Sequence, residues 1–449
     1  MHPLERVQMN MNSGPASGGV YRYYVLIMLM LTFMFNIADR LVMSILIEDI
    51  KAEFVLSDTQ IGLLAGTAFT VFYLLLGVPA GRLADRTNRK NMVAISLALW
   101  SLMSAVCGAA LGFWTLLLAR LGVGVGEAGG GPPSVSIITD YFAPHELSRA
   151  MGIFAVGAVL GPVLGYAAGG LIAEAYGWRW TFVILGLPGI ALAILLYFTV
   201  VEPARGRFFA RQAQPAGAEK QQPFLITMRS LWMNSVFVRV VLANSFTNIP
   251  SFAFAIWLAP TLIRNFDVTQ GEVGVYLGAV LFAGGVPGMV LGGYLADFLA
   301  KKNPRWRPWY CALAVMMVLP FWTFCLLSSS LEMTLALYIC GYVLLVSTQG
   351  AAISMVQSAV LPTERGTASS ISSLSINLLG YGIGPALIGL MSDNWADAYG
   401  SLSLNYAVIA TVVVSLSMAS FLFWWTGKAV NQEPAPVGAG TKAAARHPR

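Results

Sequence analysis

Gly81-Arg-Leu-Ala-Asp-Arg-Thr-Asn-Arg-Lys90 is the stretch whose reading decides the fold of this chain. It closes a long apolar run and sets Arg82, Arg86, Arg89 and Lys90 around one acid, Asp85. A weaker copy, Gly293-Tyr-Leu-Ala-Asp297 followed by Lys301 and Lys302, has Phe298 where the first copy has Arg86. Asp85 and Asp297 stand 212 positions apart in 449 residues. A charged hinge at the same place in each half of an apolar chain is the mark of a duplication.

The flanking sequence sets the solvent. The chain is 57% hydrophobic and 11% charged, against about 25% charged in soluble domains. So few charges cannot cover a soluble surface. Apolar runs long enough to cross about 30 Å of hydrocarbon recur at 22–47, 59–81, 91–111, 113–139, 147–173, 180–200, 236–263, 272–296, 309–328, 332–360, 367–391 and 402–426. The expectation is an all-α membrane protein with twelve transmembrane helices in two pseudo-symmetric six-helix bundles. The first run is too long for a cleaved leader and lacks a small-residue cleavage site.

Three further echoes support the duplication. Phe35-Asn36-Ile37 resembles Thr247-Asn248-Ile249, Pro144-His-Glu146 resembles Pro362-Thr-Glu364, and Gly161-Pro162 resembles Gly384-Pro385. Their order is the same in both halves. The expected division is 1–20 as a disordered N-terminus, 21–201 and 234–427 as the two bundles, 202–233 as a cytoplasmic linker, and 428–449 as a disordered C-terminus. Parallel repeats place a transport site at their interface near the bilayer midplane.

Of the 27 Arg and Lys residues, only Lys51, Arg179 and Arg264 fall on the side opposite the Gly81–Lys90 loop, and only Arg40, Arg120 and Arg239 inside spans. By the positive-inside rule the basic side is cytoplasmic, which puts both termini in the cytoplasm and the chain in the cell (inner) membrane. The net charge of +6 is therefore topology rather than a nucleic-acid footprint. The four cysteines (107, 311, 325 and 340) lie in apolar spans without metal spacing and read as small buried hydrophobes. His2, His145 and His447 lie outside the spans. No nucleophile–base pair, nucleotide loop, metal site or cofactor is indicated, so an enzyme, a sensor or a primary pump is the weaker reading.

Charges inside spans are costly and functional by default, at least about 2.5–3.5 kcal/mol each at the bilayer centre on insertion scales. They are Asp39 and Arg40 in span 1 and Arg120 and Glu127 in span 4. At 1.5 Å per residue, Asp39 and Arg120 come to similar depths, roughly 12 and 10 Å from the outer ends of their spans. The two can pair if spans 1 and 4 touch. Glu127 lies two turns beyond Arg120, near mid-membrane. Burial favours a protonated carboxyl and a guanidinium favours the carboxylate, so an acid whose arginine comes and goes is a proton switch. Asp39 and Glu127 are the expected proton-coupling residues. Arg40 points about 100° away from Asp39 and, like Arg120, suits an anionic head group. Asn36 lies one turn before. The second half offers Asn248, Ser251, Gln349 and Phe252, a neutral polar and aromatic wall that suits an amphiphile. Gly81, Asp85, Arg86, Arg89, Lys90 and Asp297 are the expected gating residues, with Arg86 and Arg89 in reach of Asp140 or Glu146. The glycines of span 4 (122, 124, 126, 129, 130 and 131) favour close helix packing, and Pro132-Pro133 is expected to kink that span.

These residues together resemble the major facilitator superfamily. Gly81–Lys90 is similar to its loop 2–3 signature, and Arg120-Leu-Gly-Val-Gly-Val-Gly126 to its span 4 signature, which implies proton coupling. Gly157-Ala-Val-Leu-Gly161-Pro162 resembles its span 5 antiporter signature, with Tyr166 where a second Gly is common. Within the superfamily, Asn36-Ile-Ala-Asp39-Arg40, Gly66–Tyr73, Gly122–Ala128 and Val201–Gly206 resemble the spinster-like family. That resemblance implies export of sphingosine 1-phosphate or lysophospholipids. The resulting expectation is a monomeric, proton-coupled secondary transporter of an anionic amphiphile working among membrane lipids. The alternative is a small organic anion:proton symporter or a drug-type antiporter of the same fold.

Overall fold

A computed structural model describes residues 19–208, 224–361 and 364–429, without the side chains at 78, 81, 82, 84, 85, 224 and 225. The expected disordered ends and the middle of the linker thus lie outside the described residues, as do the gating side chains at Gly81 and Asp85. Every described regular element is a helix. Nine helical stretches are long and apolar enough to cross a membrane. Two of them, 144–199 and 365–429, are long enough to cross twice. Phe113–Glu127 and Gly131–Tyr141 are individually short and together make one further crossing. The chain is a multi-pass membrane protein, and its lipid-facing surface carries an exposed apolar belt that includes Trp114, Phe198, Leu291 and Phe324.

Local chemistry starts and stops the spans. Asn88 caps Arg89–Cys107, and Asn234 caps Ser235–Asn265. Ser57 with Gln60 and Thr269 with Glu272 form reciprocal capping boxes at the starts of spans 2 and 8. Gly177, at φ 82°, breaks the continuous helix Gly169–Thr199 into the end of span 5 and the whole of span 6. Only glycine enters that backbone region without penalty.

Span 4 corrects an expectation. It is not one kinked helix but two helices, Phe113–Glu127 and Gly131–Tyr141, joined by the turn Ala128-Gly129-Gly130. Pro132 and Pro133 lie in the first turn of the second helix, where a missing N–H leaves nothing unsatisfied. Cys340 is a second correction. It is exposed on the outside of the bundle, while Cys107, Cys311 and Cys325 are buried.

Polar contacts between the halves gather, among the described residues, toward the end opposite the Gly81–Lys90 loop. That end is the sealed end, and the loop marks the basic end. Arg264 of span 7 donates to both oxygens of Asp58, at 2.8 and 3.0 Å, and to Glu48 at 2.9 Å. Asp58 also accepts from Lys51 and Ser392. Asp393 accepts from the backbone N–H groups of Asp58 and Thr59. Glu174 accepts from Thr269 and from the backbone of Gly271. Spans 5 and 8 cross at Gly170 and Gly274, where a Cβ on Gly170 would come within 3.2 Å of the Gly274 Cα. Deeper in, Ser44 donates to the Ile256 carbonyl at 2.7 Å, and Tyr166 donates to the Ala255 carbonyl.

At the basic end the ion pairs stay within one half. Arg89 is buried and binds Asp140, Glu202 and Ser136. Lys90 donates to the Tyr197 carbonyl, Arg22 pairs with Glu146, and Arg307 pairs with Asp297. Arg86 is exposed. The bundle is therefore closed at one end, and the ion pairs at the other do not tie its halves together.

Arg264→Ala removes charged hydrogen bonds of about 1.5–3 kcal/mol each from the seal. That shifts the closed-to-open ratio by roughly tenfold or more. In a background with the native cysteines replaced, a Ser44→Cys probe should gain that much reactivity toward an impermeant maleimide added from the sealed side.

Candidate transport site

Spans 1 and 4 bring their four charges together as two ion pairs. Asp39 accepts from Arg120 Nη1 at 3.4 Å and from the Ser104 hydroxyl of span 3. Arg40 donates to Glu127 Oε2 through Nε at 2.8 Å and Nη2 at 2.6 Å. The helical turn between Asp39 and Arg40 thus sends neighbouring residues of opposite sign to different partners on one helix. Arg120 is fully buried and Glu127 is 2% exposed. Ions so placed are tolerable only when paired.

The pairing is incomplete. Arg120 Nε and Nη2 and Glu127 Oε1 are buried with no hydrogen-bond partner among the described residues. Aromatic rings compensate in part. The Arg40 guanidinium lies 4.6 Å from the Phe69 ring centre and 4.9 Å from that of Tyr73, and Arg120 lies 6.0 Å from Phe69. Cation–π contacts of this kind strengthen as water is excluded.

Arg40 and Glu127 border a cavity of about 170 Å³, together with Asn36, Tyr73, Trp100 and Asn377. Span 5 can lie this close to span 1 because Gly157, Gly161 and Gly165 face the backbone between Met30 and Ala38. Asn377 is the second-half residue on the cavity wall, in a π-helical turn, Asn377–Ile383, within span 11. Such turns also interrupt span 2 at Leu63–Thr67 and span 5 at Leu164–Ala168, and they recur at functional sites in helices.

The second-half candidates lie apart from the ion pairs. Asn248 donates to Asn244 and accepts from Gln349 at 3.4 Å, so Asn248 and Gln349 bridge spans 7 and 10. Ser251 is half-buried. Phe252 packs on Tyr381 with ring centres 4.5 Å apart, and Gly380 makes room for its ring.

Sequence reasoning missed Tyr381. It is 3% exposed, its hydroxyl has no partner among the described residues, and its ring lies 6.2 Å from Phe69. It brings a second-half hydroxyl within electrostatic reach of all four first-half charges. A tyrosine in a glycine-rich apolar run carries no signal that it will face ion pairs in the other half of the chain. Ser104 and Trp100 were missed for the same reason. Of the pair that closes the sealed end, Arg264 carried only a topological reading and Asp58 none.

Comparison with known proteins agrees with this architecture. The profile of the Major Facilitator Superfamily matches residues 28–385. An MFS-type efflux pump of Mycolicibacterium smegmatis is 30% identical over 87% of this chain and 89% of its own length. A sphingosine-1-phosphate transporter of Danio rerio is 28% identical over 83% of this chain and 78% of its own. The crystal structure of a bacterial homolog of the human lysosomal transporter Spinster, inward-facing and unoccupied, superposes with a TM-score of 0.82 at 28% identity. It covers 93% of this chain and all of that one.

Arg120→Leu leaves Asp39 buried without its ion, and removing one partner of such a pair costs about 3–5 kcal/mol. A marked drop in thermal stability is expected. Asp39→Asn in the same chain should restore most of it, and a double-mutant cycle in detergent measures the coupling.

Proposed function

This chain is a membrane transporter of the major facilitator superfamily and belongs to its spinster-like family, and from that premise we propose that it is a proton-coupled carrier of an anionic amphiphile. The observation that carries the proposal is the pair of ion pairs, Asp39–Arg120 and Arg40–Glu127, in one half of the chain beside a cavity. Protonating Glu127 removes the charge that holds Arg40, and protonating Asp39 does the same for Arg120. A freed guanidinium over an aromatic face binds a phosphate or carboxylate through its bidentate fork. A head group on Arg40 in turn displaces the carboxylate, so proton and substrate compete for the same arginines.

Movement follows from the asymmetry of the contacts. Opening the sealed end requires breaking the Arg264–Asp58 and Asp393–Thr59 contacts and separating the Gly170–Gly274 crossing. Alternating access then carries the site from one side to the other. In this reading the basic end and both termini face the cytoplasm of the inner membrane, as the positive-inside bias directs. One chain suffices, because both halves of the site belong to it. The aromatic residues Phe33, Tyr73, Trp100 and Phe154 that line the cavity suit the apolar part of the substrate.

In proteoliposomes under an imposed pH gradient, Glu127→Gln and Asp39→Asn should each abolish proton-driven uptake of a lysophospholipid, with size-exclusion profiles confirming that the less stable variants are still folded. Unchanged proton-driven flux in both would sink the assignment. The similarity to an efflux pump and the aromatic rings of Tyr73 and Trp100 at the cavity favour one second reading, a drug-type or small organic-anion carrier. Competition between lysolipids, sugar acids and aromatic drugs for thermal stabilisation of the protein separates the two.

A further inference from the structure

A second space among the described residues is larger than the charged cavity. A crevice of about 500 Å³ opens at the basic end between spans 2, 3 and 4. Its interior is apolar, walled by Leu76, Pro79, Leu83, Ile95, Leu99 and Val125. Its mouth is polar, made by Thr87, Asn88 and Asn91. From Asn88 to Leu99 along span 3 it runs roughly 16 Å, eleven residues at helical rise.

Two observations give the crevice an occupant. The mouth is basic. Arg86 adjoins Thr87 and is exposed, and Arg205 donates to the Thr87 carbonyl, which favours an anion. The crevice also ends against the charged site. Gly126, Ala128 and Gly129 line the crevice, while Glu127, Gly130 and Gly131 line the cavity. The partition is the side-chain-poor turn of span 4, backed by Trp100 and Ser96.

We propose that this crevice is a second binding site, which holds a single-chain anionic lipid with its head at the basic mouth and its acyl chain inside, next to the central cavity. The site rests on the amphiphile reading and adds to it a place where the substrate waits in the leaflet at the basic end. Anionic lipid recognition by interfacial basic residues and apolar crevices has this physical form. The Arg40–Glu127 pair lies on the far side of that turn.

The test uses the full-length protein in amphipol and a homologous series of short-chain lysophosphatidates of increasing chain length, added as monomers from water, with monoacylglycerols as neutral controls. Each methylene that enters the crevice should raise affinity about fourfold. Ile95→Trp, which fills the crevice, should flatten that dependence, and Ala80→Leu on the facing wall does the same with less risk to folding. Arg86→Ala should weaken the anionic series several-fold and leave the monoacylglycerols unchanged. If both filling variants keep the wild-type chain-length dependence while lysophosphatidate is still transported, the chain lies elsewhere and the crevice proposal fails alone. If the wild-type protein binds no member of the series but carries a small organic acid, the amphiphile reading fails and the crevice proposal fails with it.

Discussion

Four charges in the middle of a membrane must neutralise one another, and the rest of this structure is arranged around that requirement. Asp39, Arg40, Arg120 and Glu127 come from two helices of one half. Each acid is held by an arginine of the other helix. Neither pair is saturated among the described residues, since Arg120 and Glu127 keep buried polar atoms without partners there. A saturated pair would fix spans 1 and 4 permanently. An unsaturated one leaves donors and an acceptor for a proton, a water or a head group.

The two ends of the bundle differ for the same electrostatic reason. At the sealed end, charges are shared between halves. Arg264 from the second half meets Glu48 and Asp58 from the first, so separating the halves exposes unpaired ions. At the basic end, Arg89, Arg22 and Arg307 find their acids within their own half, so separating the halves there breaks none of these pairs. The Gly81–Lys90 string therefore stiffens one bundle in this conformation. The contacts that hold this conformation closed lie at the other end, in residues whose sequence gave little sign of it.

The duplication has become chemically unequal. The first half keeps the ions. The second half supplies neutral groups, with Asn248 and Gln349 spent on bridging spans 7 and 10 and Phe252 packed on Tyr381. The π-helical turns of spans 2 and 11 face each other across the halves, with the Thr67 hydroxyl on the Gly382 carbonyl at 2.5 Å. They bring Tyr381 up to the first-half charges. The broken span 4 likewise divides two spaces of different character, a charged cavity and an apolar crevice.

Composition and pattern in the sequence were enough to determine the membrane class, the twelve crossings, the two-half architecture and the family, because each rests on properties of consecutive residues. Apolar length, charge spacing and the repeated Gly81–Lys90 string survive without knowledge of neighbours. The four buried charges were legible too, since an ion inside an apolar run stands out wherever the helix goes. Only the tertiary structure decided the partners. That Arg40 takes Glu127 while Asp39 takes Arg120 and Ser104 depends on helix rotation and crossing angle. That Tyr381 joins them, that Asp58 and Arg264 close one end, and that span 4 breaks at its glycines depend on which backbones can touch. Packing between distant segments sets these contacts, and no local run of residues encodes it.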